Sequence, residues 1–265
     1  MKILFFGDIV GKIGRQALKK VLPELINELE PDFILANGEN LAHAIGFNKK
    51  TVEEILDMGV DYLTSGNHVF DREDAIKYLA SKNAKILRPA NLPEGDPGRG
   101  HVILEKNNKK LLIINLLGQV FMDKMDPNCP FAKADGLLKK YSKEEYDASL
   151  IDFHAEATSE KEALGHYLDG RVAAVLGTHT HVPTCDNYIL PKGTAFCNDV
   201  GMVGAQDAIL GGEKEPIIKK FLTQIPLHFE APKTGMCIIN ACLIETENKS
   251  IRAKSIKRID RKIEI

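Results

Sequence analysis

Eight side chains able to bind a metal ion or move a proton stand at one recurring address in this chain, just past a short apolar run. They are Asp8 after residues 3–6, Glu39 and Asn40 after 33–36, Asn67 and His68 after 62–65, His154 closing 149–154, and His179 and His181 after 172–176. Each has an ordinary reading alone: a helix cap for Asp8, a surface acid for Glu39, a turn residue for Asn67, a buried hydrogen-bonded histidine for His154. The shared address argues against coincidence. Apart from His68, the set holds two carboxylates, three histidines and two amides. Such O and N donors without a thiolate suit Mn, Fe or Zn rather than copper or an iron–sulfur cluster. Seven donors exceed what one tetrahedral ion takes, so a two-metal centre is expected, whose ions clamp the attacking and leaving oxygens of an in-line displacement. Phosphoester hydrolysis is the reaction class that follows.

The stretch Gly177-Thr178-His179-Thr180-His181 carries two of these donors one residue apart. They face one site if the strand stays in register, because side chains alternate with period 2, and equally if the strand has ended and the backbone turns. The sequence allows both.

The elements that must position the donors follow an α/β plan. Residues 3–6 read as a strand buried on both faces. Leu18, Val21, Leu22, Leu25, Ile26 and Leu29 then recur at the spacing of an amphipathic helix, with Pro23 marking a kink or the first turn. The glycines at 7, 11 and 14 fail the phosphate-loop pattern, since Ile13 stands where Ser or Thr would bind magnesium; they read as a tight strand-to-helix turn. A strand over 33–36 and a helix over 49–58 repeat the plan. A strand ending at residue 65 follows, and Asp71 reads as the N-cap of a helix through Ala75, Ile76 and Leu79. Next come a short strand, Ile86-Leu87, and a hairpin over 102–105 and 111–115. Strands at 149–154, 172–176, 187–190 and 194–197, helices at 159–168 and 215–221, and antiparallel strands over 236–244 and 250–259 around a turn at 247–249 complete the reading. Residues 122–143 lack a period and read as a long loop or cap carrying a short helix, an insertion bounded at 119–146. Nothing divides the chain, so a single domain over 1–265 is expected. In α/β sheets ligands bind outside the carboxyl ends of the strands, so the five donor-bearing loops should meet in one crevice.

Bulk properties exclude several classes. The 265 residues are 44% hydrophobic and 27% charged, which is ordinary for a globular protein with a sizeable core. A net charge of −2 gives no global basic field for recruiting nucleic acid. Five cysteines without a C-x-x-C pair argue against a disulfide framework, and they read as core filler in a reducing compartment. No apolar run approaches the ~20 residues of a membrane span and none forms a leader, so a cytoplasmic protein without membrane contact is expected. His43 follows the Glu39 loop, where it reads first as a solvated loop histidine and second as a substrate contact. His101, His166 and His228 sit in no motif and read as surface residues, and the lysine-rich stretches 106–110 and 254–262 as solvated faces.

Gly7-Asp8, Gly38-Glu39-Asn40, Gly66-Asn67-His68, His154 and Gly177-Thr178-His179-Thr180-His181 resemble the ordered blocks of the calcineurin-like metallophosphoesterases. Over nearly its full length the chain is more closely similar to the YmdB family of bacterial cyclic-nucleotide phosphodiesterases. The blocks Gly-Asp-Ile-Val-Gly, Asn-Gly-Glu-Asn, Gly-Asn-His and Gly-Thr-His-Thr-His-Val together make the signature. Two departures from the wider superfamily support the narrower resemblance. Val10 occupies the place of a histidine ligand, and Glu39 stands where a bridging aspartate is usual, with Asn40 beside it to supply the oxygen that Val10 cannot.

The resemblance implies a four-layer αββα fold, a two-sheet β-sandwich flanked by helices. It implies one metal held by Asp8, Glu39, Asn40 and His181, the other by Glu39, Asn67, His154 and His179, with Glu39 bridging two divalent or mixed-valence ions, iron or manganese ahead of zinc. It further implies that His68 protonates the leaving oxygen or stabilises the transition state. General chemistry agrees: a metal-bound hydroxide, formed because metal lowers water's pKa from ~15.7 toward ~7, attacks phosphorus while an alkoxide leaves opposite. Histidine titrates in the range needed to give that oxygen a proton. Arg88-Pro89-Ala90-Asn91 is expected along the substrate pocket and Asp199-Val200-Gly201-Met202 against the ligand histidines. Gly204-Ala205-Gln206-Asp207-Ala208 departs from the family's usual block. The expected activity is hydrolysis of cyclic nucleotides, 2′,3′-cyclic foremost, by a homo-oligomer, with RNA ends kept as a second partner class. A phosphomonoesterase or nucleotidase with the same metals is one alternative. A regulatory RNA- or protein-binding module with a structural metal centre is another.

Overall fold

The computed structural model of the protein describes residues 1–122, 124–141, 145–226, 230–247 and 251–265. His228, residues 248–249 of the expected turn and positions 123 and 142–144 of the expected cap lie outside the described residues.

The chain opens with β1 (Lys2–Ile9), α1 (Gly11–Leu29), β2 (Phe33–Asn37), α2 (Lys49–Asp57), β3 (Tyr62–Thr64) and α3 (Glu73–Leu79). It continues with β4 (His101–Lys106), β5 (Lys109–Leu117), α4 (Pro130–Lys140), β6 (Ala148–His154), α5 (Thr158–Leu168) and β7 (Ala174–Thr178). The last elements are β8 (Tyr188–Ile189), β9 (Ala195–Cys197), β10 (Met202–Ala205), α6 (Lys214–Thr223), β11 (Met236–Thr246) and β12 (Ala253–Glu264). Two six-stranded sheets result, ordered β12-β11-β10-β1-β2-β3 and β4-β5-β6-β7-β9-β8. Within the first, β1, β2 and β3 run parallel, and within the second β5, β6, β7 and β9 do.

Period-2 alternation makes the layers. Ile3, Phe5, Phe33 and Leu35 face Leu111, Ile113, Leu150 and Leu176 in a core between the sheets. Their neighbours Leu4, Phe6, Ile34 and Ala36 point the other way, onto Leu18, Leu22, Val52 and Ile55 of α1 and α2. On the far side Leu112, Ile114, Ile151 and Phe153 pack under Ala134 and Leu137 of α4 and Leu164 and Leu168 of α5. Both faces of each central strand are therefore buried, which is why residues 3–6 and 33–36 are continuous apolar runs. The carboxyl ends of β1, β2 and β3 in one sheet and of β6 and β7 in the other lie at a common edge of the sandwich, bound across the gap by Asn37 Nδ2 and Thr64 Oγ1, which donate to Asp152 Oδ2 at 3.0 and 2.5 Å.

Several local expectations are corrected. Only Val10 separates β1 from α1, so the glycines do make a tight strand-to-helix turn, with Gly11 at a φ of 64° as the first residue of α1, but Pro23 lies inside the helix and not in its first turn. Ile86-Leu87 contributes a single parallel bridge, Leu63 to Ile86, rather than a strand. Cys129 and Cys185 are exposed, and only Cys197, Cys237 and Cys242 are buried filler.

His101, expected at the surface, is half-buried under Tyr141, whose hydroxyl lies 2.8 Å from its Nε2. Burial, reinforced by the Lys140 and Lys133 cations, pushes the imidazole down to about 4. An unfolded chain takes up this proton near pH 6.5, the folded one only near 4. Between those values the unfolded state binds more protons, so stability falls as the pH drops across that window. In metal-stripped protein, the loss of urea-denaturation midpoint between pH 7 and pH 4.5 is therefore expected to be smaller in His101→Gln than in wild type. Equal losses would remove His101 as a cause.

Candidate metal centre

The sequence-identified donors converge. Glu39, His154 and His179 present ligand atoms that all lie within 4.8 Å of one another. His154 Nε2 is 3.2 Å from Glu39 Oε1, 3.2 Å from Asn67 Oδ1 and 3.0 Å from His179 Nδ1, so four donors meet there. A second group gathers around His181 Nε2, which is 3.8 Å from Asp8 Oδ1 and 3.1 Å from Asn40 Nδ2. Asn40 Nδ2 also lies 3.4 Å from Glu39 Oε1, which joins the two groups at that carboxylate. The Asn40 amide has its nitrogen inward, and a half-turn of the amide presents Oδ1 instead. Asp8, Glu39, Asn40, Asn67 and His154 are all buried. His68 sits at the rim with its side chain 24% exposed, and its main-chain N–H donates to Glu39 Oε2 at 3.2 Å.

The backbone resolves the two routes open to the histidine pair. The strand β7 ends at Thr178, and His179 and His181 take left-handed φ angles of 103° and 62°. Such angles cost of order 1–3 kcal/mol each outside glycine and persist only where neighbours fix them. Asp8 Oδ2 accepts the His179 N–H at 3.1 Å, and Asp199 Oδ2 accepts the Thr180 N–H and Oγ1–H at 3.1 and 2.8 Å. Lys161 Nζ donates to that same Asp199 oxygen at 2.8 Å, and both side chains are nearly fully buried. The expected role of the Asp199 stretch is thus carried out through Thr180, between the histidines, and not on their rings. Glycine is required at 66, where a Cβ would lie 2.2 Å from both Glu39 Oε2 and His154 Cδ2.

Each of these three histidines also has its second nitrogen engaged. Thr178 Oγ1 gives its one hydrogen to Asp152 Oδ1 at 2.7 Å, so at 2.9 Å it accepts from His154 Nδ1 and leaves the Nε2 lone pair facing the site. His181 Nδ1 donates to the Leu210 carbonyl at 2.9 Å, and His179 Nε2 faces Glu156 Oε2 at 3.1 Å. Sequence reasoning missed Asp152, Thr178 and Glu156. The one signal was Asp152 standing two residues before His154, on the same strand face. Arg88 and Asn91, expected along the pocket, are buried and donate to main-chain carbonyls, Arg88 to Pro89 and Pro93, Asn91 to Leu117 and Asn128.

Asp71 is not a helix cap. The N-cap of α3 is Arg72, and Asp71 Oδ2 instead contacts His68 Nδ1 at 2.7 Å and accepts from Lys124 Nζ. Burial raises the Asp71 carboxyl, but the hydrogen bonds from Lys124 and His68 outweigh it and hold the group below the usual carboxylate range. Lys124 comes from the aperiodic stretch, where no motif marked it.

The electrostatics state what the donor set lacks. Burial pushes Asp8 up to about 6, against the pull of His181 and His154. Burial also opposes ionisation of Glu39, but His154, His68 and His179 around it hold its carboxyl far below the usual range. His154 rises to about 9, because Glu39, Asp8 and Asp152 overcome its burial, and burial beside His154 drives His179 down to about 3. The buried Asp8 Oδ1 has no hydrogen-bond partner among the described residues. An orphaned carboxylate oxygen is costly unless a cation meets it. The residues present therefore fit divalent cations: a shared carboxylate, imidazole lone pairs directed inward and an unpaired anionic oxygen.

Comparison with known proteins places the chain in a family. A 2′,3′-cyclic-nucleotide 2′-phosphodiesterase of Bacillus subtilis is 44% identical over 98% of this chain and 96% of its own length. The crystal structure of a phosphatase from Mycoplasma pneumoniae, 34% identical, superposes with a TM-score of 0.91 over 100% of this chain and 94% of that one. At 14% identity the calcineurin-like phosphoesterase YfkN of B. subtilis shares the fold, with a TM-score of 0.62 over 98% of this chain and 90% of that one. The profile of the YmdB-like proteins matches residues 4–259, and the chain belongs to that family, built on the calcineurin-like metallophosphoesterase fold.

Proposed function

We propose that this protein is a dimetal-dependent phosphodiesterase that opens 2′,3′-cyclic nucleotides. Asp8, Glu39, Asn40 and His181 would hold one ion and Glu39, Asn67, His154 and His179 the other, and His68 donates the proton. The observation that carries the reading is the meeting of both donor groups at the Glu39 carboxylate, beside the unpaired Asp8 Oδ1. The substrate class rests on the B. subtilis relative's name. Ions held there, iron or manganese ahead of zinc for this O- and N-donor set, would lower the pKa of water and neutralise phosphoryl charge.

The chain's own residues do the rest. Glu39 Oε2 holds the His68 main chain, so the imidazole stands beside the donors without being one of them. His68 Nδ1 faces Asp71 Oδ2 at 2.7 Å and Lys124 Nζ at 3.1 Å; Lys124 also donates to Asp71, and with the carboxylate as the nearer partner Nδ1 gives its hydrogen to Asp71 and leaves Nε2 to exchange a proton. As the oxygen of water adds to phosphorus and releases one proton to solvent, the bond from phosphorus to the ring oxygen breaks; that ribose oxygen leaves with the electron pair and takes a proton from Nε2, which solvent then restores. The reading extends to a single domain over 1–265 with a cap at 119–146, which brings Lys124 to Asp71, and to a cytoplasmic homo-oligomer with RNA ends as a second substrate class. No helix of the described residues is long and apolar enough to cross a membrane.

The test combines metal content with turnover of 2′,3′-cyclic and 3′,5′-cyclic nucleotides, bis-aryl diesters and monoesters. Wild type is expected to hold two ions and prefer 2′,3′-cyclic diesters, and His179→Ala and His181→Ala each to lose about one equivalent. Equal loss of both ions from each variant would overturn the division of ligands. Two bound ions without hydrolysis of any diester would overturn the phosphodiesterase reading and favour a binding module.

A further inference from the structure

A cavity of about 560 Å³ opens between the loops that follow β1, β2 and β3, on the donor side of the first sheet. Its charged and polar lining includes Lys12, Arg15, His43, Arg72, Lys233 and the one acid Glu230. The segments that carry the metal-site residues build its walls. Gly11, also in the lining, donates its N–H to the Asn40 carbonyl at 2.8 Å. Lys12 stands four residues past Asp8, His43 four past Glu39 and Arg72 four past His68. The Arg72 stem lies so close over Gly46 that a Cβ there would meet its Cγ at 2.9 Å, and the same Cβ would be 3.6 Å from the His68 carbonyl oxygen.

The charges in this cavity are unbalanced. Arg15 is engaged by Glu54 at 2.8 Å and by the Leu41 carbonyl. The side chains of Lys12, Lys233 and the half-buried Arg72 make no hydrogen bond or ion pair with any described residue. A partly desolvated guanidinium without a counter-charge matches a phosphate in geometry and sign, because its planar fork donates two parallel hydrogen bonds. The phosphate that would sit here cannot be the reacting one, which belongs over the donor cluster. In a 2′,3′-cyclic nucleotide O2′ and O3′ are taken by that reacting phosphate and C1′ by the base. The remaining ribose oxygen able to carry a second phosphate is O5′.

We propose that this cavity binds a phosphate attached to O5′ of the substrate, through Arg72 with Lys12 and Lys233. The inference rests on the phosphodiesterase reading for what lies over the metals. That phosphate has two sources, the 5′-monoester of a cyclic mononucleotide or the internucleotide diester at the 3′ end of an RNA that carries a terminal cyclic phosphate.

The test has a binding arm and a turnover arm, both on metal-loaded protein. Calorimetry compares adenosine 3′-phosphate with adenosine 3′,5′-bisphosphate. Kinetics compare adenosine 2′,3′-cyclic phosphate, its 5′-phosphorylated form and a diadenosine nucleotide ending in the cyclic phosphate. In wild type the 5′-phosphate is expected to lower Kd and KM about tenfold, since a charge-assisted hydrogen bond contributes roughly 1.5–3 kcal/mol and 1.4 kcal/mol is tenfold. In Arg72→Gln, and less completely in Lys233→Gln, the ratio between the paired ligands falls toward one. An equal gain for the dinucleotide assigns the site to RNA ends; a gain confined to the 5′-monoester assigns it to mononucleotides. Equal Kd with and without the 5′-phosphate in wild type overturns the proposal whatever the turnover. If no cyclic substrate is hydrolysed while the bisphosphate keeps its Arg72-dependent advantage, the hydrolytic reading falls and the phosphate site stands.

Discussion

Glu39→Gln will purify as a folded protein that holds well under one metal ion per chain and hydrolyses diesters roughly 10³-fold more slowly, or worse. The magnitude follows from the several kcal/mol of transition-state charge stabilisation that metal ions supply, at about 1.4 kcal/mol per decade. Glutamine keeps the shape of the side chain, so the core about it stays packed. It removes the one carboxylate common to both donor groups and turns an NH₂ donor either toward the His154 Nε2 lone pair or toward the His68 N–H, which now lie 3.2 Å from Oε1 and Oε2. Neither orientation suits a cation. The metal-stripped proteins give a second readout. His154 is held up to about 9 in wild type against its own burial, with Glu39 the foremost cause of the rise. A raised imidazole keeps its proton until the pH passes that value, so at pH 8 the ring is charged in wild type and loses part of that charge once Glu39 has lost its own, with Asp8 and Asp152 left as the lesser causes. Imidazole NMR at pH 8, metal analysis and far-UV circular dichroism check these three statements. Two ions and full turnover in the variant would remove Glu39 from the centre.

Much of this site was legible because its donors share one physical cause. Strands buried on both faces write continuous apolar runs, and the polar cluster that ends or follows each run falls at a sheet edge, so Asp8, Glu39, Asn67, His154 and His179 could be read off as one set. Periodicity alone could not divide those runs between two sheets. The strands β1 and β6 look alike in sequence, and the sandwich came from the resemblance. What stayed hidden depends on distant partners. Asp71 has the local context of a helix cap, yet it turns to His68 three residues back and to Lys124 across 53 residues of chain. His101 has no motif, and Tyr141, 40 residues away, is what covers it. The opposite failure is Cys129 and Cys185, where a general tendency of cysteine to be buried lost to the loops that carry them. For His179 and His181 both routes to convergence were open in the sequence, and only the left-handed backbone, fixed by Asp8 and by the buried Lys161–Asp199 pair, decides between them.

The largest effect without loss of metal is expected at His68. His68→Ala keeps its complement of ions and slows hydrolysis of 2′,3′-cyclic nucleotides by about 10²–10⁴-fold, the range of a positioned general acid. Metal is retained because the imidazole touches none of the donor atoms; its link to them is the main-chain N–H on Glu39 Oε2, which alanine preserves. The size of the defect depends on what leaves. A ribose alkoxide is a strong base and must be protonated as it departs, whereas a nitrophenolate is stable without a proton. The variant should therefore lose far less on bis-(4-nitrophenyl) phosphate than on the cyclic nucleotide. Asp71→Asn removes the carboxylate that fixes the Nδ1 hydrogen, and an outer partner of this kind is expected to contribute about 10–100-fold, again with the smaller loss on the aryl diester. A structural role for His68 predicts a different pattern, with equal losses on both substrates because a disturbed site handicaps every diester alike. Equal losses with both ions in place would take proton donation away from His68 and leave it a residue that only orders the Asn67 loop.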